Sequence, residues 1–276
     1  MSSRIYPKSG EALDTFRKMI YAPNDEQPIV EMNDVTARDM NVIWDSISAI
    51  AARWRGKQEM HFPDMPMDRK EFWGFFAADH QPTPLPVVNE FVDGWRTEGG
   101  LAIDLGGGNS PTANPLLQKG WRVIVIDNSR PALDILRQNN LATVESGQLQ
   151  IIEADVETFS PSEPADLVVA ADILPYIDPA QFRTTWNKIH DKFIKENGFL
   201  VGNLFRTPTH PELIPQMNSM KEMGAWFLPD RRMVRPLLTQ TGYVIKTCKY
   251  RIDEPSMEPI CIQFIAEKKS AEKQMS

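Results

Sequence analysis

The stretch Ala102-Ile-Asp-Leu-Gly-Gly-Gly-Asn-Ser-Pro111 decides how this chain folds. An apolar run carries one acid, Asp104, then passes through three consecutive glycines, Gly106 to Gly108, into a helical pattern that opens at Pro111. Glycines between a strand and a helix let the backbone take conformations a side chain forbids and let a ligand approach it closely. A tight turn with no ligand needs the same glycines, so the stretch takes its meaning from its surroundings.

Seven apolar runs read as strands: 101–105, 122–127, 149–155, 166–172, 198–205, 243–250 and 260–267. Helical patterns at 111–118, 131–139, 179–194 and 231–241 lie between most of them. Parallel neighbours need a crossover that is usually helical, so the alternation predicts an α/β, doubly wound, seven-stranded and mostly parallel sheet. The last two runs are joined only by a loop around 251–259, too short for a crossover, and the final strand is expected to enter antiparallel.

Upstream of the glycines, Val87, Val88, Phe91, Val92 and Trp95 form a helical apolar stripe that is expected to end near Gly99-Gly100. Residues 1–85 differ in texture and read as an N-terminal helical appendage or lid. Ile43, Trp44, Ile47, Ile50, Ala51 and Trp54 recur at three- and four-residue steps, and a second short helix is expected over 69–78. Pro63, Pro66, Pro82, Pro84 and Pro86 punctuate the connections. The main domain is expected over 86–269, with 270–276 a frayed tail.

Thirty Lys and Arg stand against 37 Asp and Glu in 276 residues, a formal charge of −7, and no basic run is denser than Lys268-Lys269. Nucleic acid is therefore not an expected partner. Cys248 and Cys261 are too few for a disulfide framework. His61, His80, His190 and His210 show no metal-ligand spacing, so no metal is expected. Neither a secretory leader nor a bilayer-spanning run is evident, and the chain is expected to be cytoplasmic, with no membrane partner.

Four acids mark successive strand ends: Asp104, Asp127, Asp155 and Asp172. Open α/β sheets hold ligands at this carboxyl edge, and an acid at the position of Asp127 can accept both hydroxyls of a ribose. Capping of the following helix is an equal reading for Asp172. A nicotinamide dinucleotide fits poorly, because the sixth position of a G-x-G-x-x-G fingerprint counted from Gly106 is Pro111, and Asp104 would crowd a pyrophosphate. A sulfonium nucleoside carrying an amino acid fits better: ribose at Asp127, adenine near Asp155 and Val156, ammonium within reach of Asp104.

With DLGGG at 104–108, VIVID at 123–127, EADVE at 153–157, ADLVVAADILPYI at 165–177 and NGFLVGN at 197–203, the segment 86–267 resembles the class I S-adenosylmethionine-dependent methyltransferases. The resemblance implies S-adenosylmethionine as cofactor, with Asp104, Gly106, Gly107 and Gly108 at its methionine part and Asp127 and Asn128 at the ribose. It further implies Asp155 and Val156 at the adenine, and Ala171 and Asp172 near the transferable methyl. Ser110 departs from the family where a third glycine is frequent, and Gly107 where cysteine or alanine is common.

Methyl transfer is an in-line displacement in which alignment supplies much of the catalysis, so no single motif marks the acceptor. If a hydroxyl is methylated, His80, Tyr176 or His210 is a candidate base. The loop Asp172-Ile-Leu-Pro-Tyr176 lacks the Asn/Asp-Pro-Pro-Tyr/Phe motif of amino methyltransferases acting on nucleic acid or protein glutamine, and is similar to small-molecule enzymes. Trp73, Phe76, Tyr176 and Phe205 are candidate substrate contacts, the first two within the aromatic run EFWGFF. That run also suits simple docking of the appendage, and the insertions 205–216 and 220–230 suit either a pocket wall or cover for the sheet edge. The expected function is methyl transfer to the O, N or S of a small molecule. A lysine-type protein methyltransferase and a non-catalytic cofactor-binding subunit or sensor are the alternatives. Oligomeric state is not readable.

Overall fold

The computed structural model describes Trp73 and residues 83–94, 99–208, 214–222, 224–228, 231–253 and 258–270. Within them, helix α1 (Pro86–Gly94) leads to β1 (Leu101–Leu105), α2 (Ala113–Gln118), β2 (Arg122–Asp127), α3 (Arg130–Asn139), α4 (Leu141–Glu145), β3 (Leu149–Glu153) and β4 (Ala165–Ala170). Then come a 3-10 turn (Leu174–Tyr176), α5 (Pro179–Lys188), a π-turn (Ile189–Phe193), β5 (Ile194–Phe205), α6 (Ile214–Glu222), a second 3-10 turn (Arg231–Met233), α7 (Val234–Thr241) and the hairpin strands β6 (Tyr243–Asp253) and β7 (Glu258–Lys268).

The strands form one seven-stranded sheet in the order β3-β2-β1-β4-β5-β7-β6. The first five run parallel, and β7 enters antiparallel between β5 and β6, as the short final loop requires. All five residues of β1 are buried, the signature of a strand covered on both faces. On one face of the sheet Val88, Phe91, Leu116, Leu133 and Trp121 belong to one buried apolar cluster; on the other Phe182, Trp186, Leu237 and Leu238 belong to a second. Local chemistry sets the helix ends. The Asp178 carboxylate accepts from the Ala180 N–H at 2.8 Å ahead of a proline at the first turn of α5, and Gly242, at φ 110°, ends α7.

Several boundaries differ from the sequence reading. Strands β3 and β4 stop at Glu153 and Ala170, two residues before Asp155 and Asp172, because their ladders end there: Glu153 pairs with Asp127, the last residue of β2, and Ala170 with Gly202. The helix expected over 179–194 gives way to the π-turn after Lys188, and β5 begins at Ile194, with Asn197 at φ 58° inside it. Helix α1 is described over Pro86–Gly94, and residues 95–98, which precede its expected end near Gly99, fall outside the described residues. The insertion after β5 holds α6, and α4 had no clear periodic signal. The readings at 43–54 and 69–78 apart from Trp73, with Phe76, His61, His80, His210 and the tail past Ser270, fall outside the described residues. Among the described residues no helix is long and apolar enough to cross a membrane, and no three His, Cys, Asp or Glu are grouped to hold a metal ion.

Candidate functional site

Strand order reverses between β1 and β4, and a cavity of about 360 Å³ opens there at the carboxyl ends of the strands. Its floor is the glycine turn. The N–H groups of Gly106 and Gly107 both donate to the Ile126 carbonyl, at 2.7 and 3.2 Å, folding the turn back onto β2. Gly106 has φ +62°, and a Cβ there would lie 2.6 Å from the Ile173 side chain; one on Gly107 would lie 2.7 Å from Val125 Cγ1. Both positions are closed to alanine, so the glycines here are steric requirements of the cradle.

Ser110, read from sequence as a departure, is part of the construction. It is buried and has φ 42°, which explains why glycine suits this place. Its hydroxyl donates to Asp104 Oδ2 at 2.7 Å, and its Oγ accepts from the Ala113 N–H at 3.0 Å, so one side chain joins Asp104 to the start of α2. Asp104 is itself buried, and loss of solvent pushes its carboxyl up to about 7 against the lowering hydrogen bond from Ser110, with the nearby Asp127 charge adding to the rise.

Asp127, at the end of β2, is held on both oxygens: Gly108 N–H donates to Oδ2 at 2.9 Å and Ser129 N–H to Oδ1 at 2.7 Å. Burial raises its pKa despite these bonds. Asn128 Nδ2 donates to Asp155 Oδ1 at 2.5 Å, tying the second acid edge to the third. The loop that carries Asp155 and Val156 is stapled from below. Lys188 Nζ donates to the carbonyls of Val156, Glu157 and Phe159 at 3.0, 2.7 and 2.9 Å.

Asp172 has φ 57°, an uncommon conformation for a residue with a side chain. Asn203, fully buried on β5, holds it there: the Asp172 N–H donates to Asn203 Oδ1, and Asn203 Nδ2 donates to Asp172 Oδ1, both at 2.7 Å. Beyond it Tyr176 lines the cavity and meets Trp73 edge to face, with ring centroids 5.2 Å apart.

The cavity wall thus brings together Asp104, Gly106, Gly107, Gly108, Asp127, Asn128, Asp155, Val156, Ala171, Asp172, Trp73 and Tyr176. Phe205 is not on the wall; it is buried behind Tyr176, with ring centroids 6.3 Å apart. Ser129, Glu157, Ile173 and Asn203 are site-building residues that the sequence reading passed over. Only Asn203 carried a signal, as the lone polar side chain inside the apolar run of residues 198–205.

Residues 102–198, which span β1 into β5 and so hold nearly all of this wall, match the family model described as a methyltransferase domain. That stretch is therefore similar to a methyltransferase domain. Among solved structures, it is similar to an O-methyltransferase family protein from Burkholderia thailandensis: 17% identity, 85% of this chain and 71% of that one covered, TM-score 0.56. A methyltransferase from Methanosarcina mazei aligns at 15% identity over 68% of this chain and 99% of its own, TM-score 0.53. The pyocyanin biosynthetic protein PhzM aligns at 15% identity over 84% and 72%, also with a TM-score of 0.53. At these identities the likeness is one of fold. No curated protein matches the chain by sequence. The pocket suits S-adenosylmethionine chemically, since the glycine cradle admits close approach and the acids favour a ligand bearing sulfonium and ammonium charge.

Proposed function

We propose that this methyltransferase acts on a small organic molecule bearing an O, N or S nucleophile, and that residues 1–85 close the pocket over the 86–269 domain. The observation that carries this reading is the Trp73 ring set against Tyr176 on the cavity wall, which gives that end of the pocket aromatic surface suited to a compact organic acceptor.

S-adenosylmethionine supplies an electrophilic methyl group on sulfur. In this reading Asp127, with Asn128, receives the ribose hydroxyls, and Gly106, Gly107 and Gly108 cradle the methionine part, whose ammonium Asp104 faces. Asp155 and Val156 border the adenine, and Ala171 and Asp172 the methyl end. The aromatic pair excludes water from the acceptor and fixes its approach. The test is transfer of labelled methyl from S-adenosylmethionine to a panel of small nucleophiles and, in parallel, to lysine-bearing peptides. Labelling of small molecules is expected; labelling of peptides alone would overturn the reading in favour of a protein methyltransferase.

A further inference from the structure

We propose that Lys188 is a positioning residue for base selection. Without lining the pocket, it engages the carbonyls of the loop that carries Asp155 and Val156, so that the loop offers a bound base only backbone donors beside one carboxylate acceptor. Such a wall admits a 6-aminopurine and rejects a 6-oxopurine. The inference deepens the cofactor side of the reading above and rests on it.

The clasp is matched donor for acceptor. Lys188 closes α5 and is not on the cavity wall. Its ammonium has three N–H donors and meets three carbonyls, those of Val156, Glu157 and Phe159, at 3.0, 2.7 and 2.9 Å. The Phe193 ring stands 5.7 Å from Nζ, and Phe193 in turn meets Phe159 edge to face, with centroids 6.0 Å apart. A half-buried ammonium gives up hydration, and these partners replace it, which holds Nζ and the loop to each other.

The clasp decides what the loop has left to offer. The Asp155 carbonyl is also engaged, accepting from the N–H groups of Thr158 and Phe159 at 3.1 and 2.9 Å and from the Thr158 hydroxyl at 3.2 Å. Lys188 takes the carbonyls of Val156, Glu157 and Phe159. The donors are spared: among the described residues the N–H groups of Val156 and Glu157 have no partner, and both residues line the cavity. Beside them on the same wall is the Asp155 carboxylate, whose Oδ1 accepts from Asn128 Nδ2.

The two purine classes read this wall in opposite senses. A 6-aminopurine presents an N–H donor next to a ring-nitrogen acceptor, which pair with a carboxylate and a backbone N–H. A 6-oxopurine presents an oxygen acceptor next to a ring N–H, so oxygen meets carboxylate and N–H meets N–H. Leaving such groups unpaired in a shielded site is what makes discrimination steep. A free loop carbonyl turned toward the ring N–H would relieve the mismatch, and Lys188 removes that option. It acts through what it withdraws, in addition to the stability its bonds confer.

The experiment titrates the full chain calorimetrically with S-adenosylhomocysteine and with its deaminated counterpart, S-inosylhomocysteine. The unaltered protein is expected to prefer the first by at least about 100-fold. In K188M the preference should shrink at least about tenfold. In K188Q, which keeps two N–H donors without the charge, it should shrink at least about threefold, and this variant carries the test where K188M does not fold. The preference is a ratio within one protein, so a loosened fold that weakens both ligands alike leaves it unmoved. A preference below about threefold in the unaltered protein, or one unchanged in the folded variants, would overturn the proposal. If S-adenosylhomocysteine does not bind the unaltered protein, the methyl-transfer reading fails first and is recognised as the cause.

Discussion

Asp104 is a buried acid whose proton is tied to the state of the pocket. Its carboxyl rises from 3.8 to about 7 in the fold, so between those values the folded protein holds a proton that the unfolded chain has released. Stability of the empty protein therefore declines as pH rises through that interval and stays lower above it. A cationic ligand favours the ionised form. Affinity for S-adenosylhomocysteine should accordingly climb between about pH 6 and 8, with protons released on binding near pH 7, measurable as a buffer-dependent heat. Ser110→Ala removes the hydroxyl that lowers this pKa, so the pH midpoint of binding should move to the alkaline side and affinity at pH 7 fall by about 1 kcal/mol; a midpoint that does not move would count against the role given to Ser110. Asp127→Ala should weaken the same ligand by about 1–3 kcal/mol and lower the melting temperature, since the N–H groups of Gly108 and Ser129 lose their acceptor. Asp104 and Asp127 were readable because each is a charge at the end of an apolar run, the first just before the glycine turn and the second closing the next strand. Ser110 was not, because its value lies in a φ of 42° and a hydrogen bond that sequence does not display.

Elements place these residues, and the boundaries matter more than the strands themselves. The loop after β3 carries Asp155 and Val156 without any ladder partner, and what fixes it is a cation from another helix, Lys188 at the end of α5. Lys188→Met should cost about 2–3 kcal/mol of stability by orphaning three carbonyls, and hydrogen exchange should quicken at the Thr158 and Phe159 amides, which bond to the Asp155 carbonyl. Unchanged exchange there would show that the loop is held some other way. The apolar runs of β1, β2, β4 and the second half of β5 predicted their existence well, because burial on both faces writes a continuous pattern into the sequence, whereas the edge strand β3 is only partly buried. Their ends were misjudged at Asp155 and Asp172. Apolar content does not report where a neighbouring strand stops, and there the chain exchanges ladder bonds for side-chain ones, as Asp172 does with Asn203.

At the scale of the molecule, the sheet order puts its reversal between β1 and β4, and everything argued to bind or react lies around that one point. The alternation of strands and helices, closed by a hairpin too short for a crossover, was enough to predict a mostly parallel, doubly wound sheet with an antiparallel last strand, though not the order of its strands. The acceptor end was less readable, for Trp73 meets Tyr176 across 103 positions of sequence, a contact no local pattern encodes. The most direct test of the account is a calorimetric titration of the whole protein with S-adenosylhomocysteine, with NADH as control. Saturable one-to-one binding at micromolar affinity, with no heat from NADH, is the predicted result; no binding of S-adenosylhomocysteine, or equal binding of NADH, would contradict it.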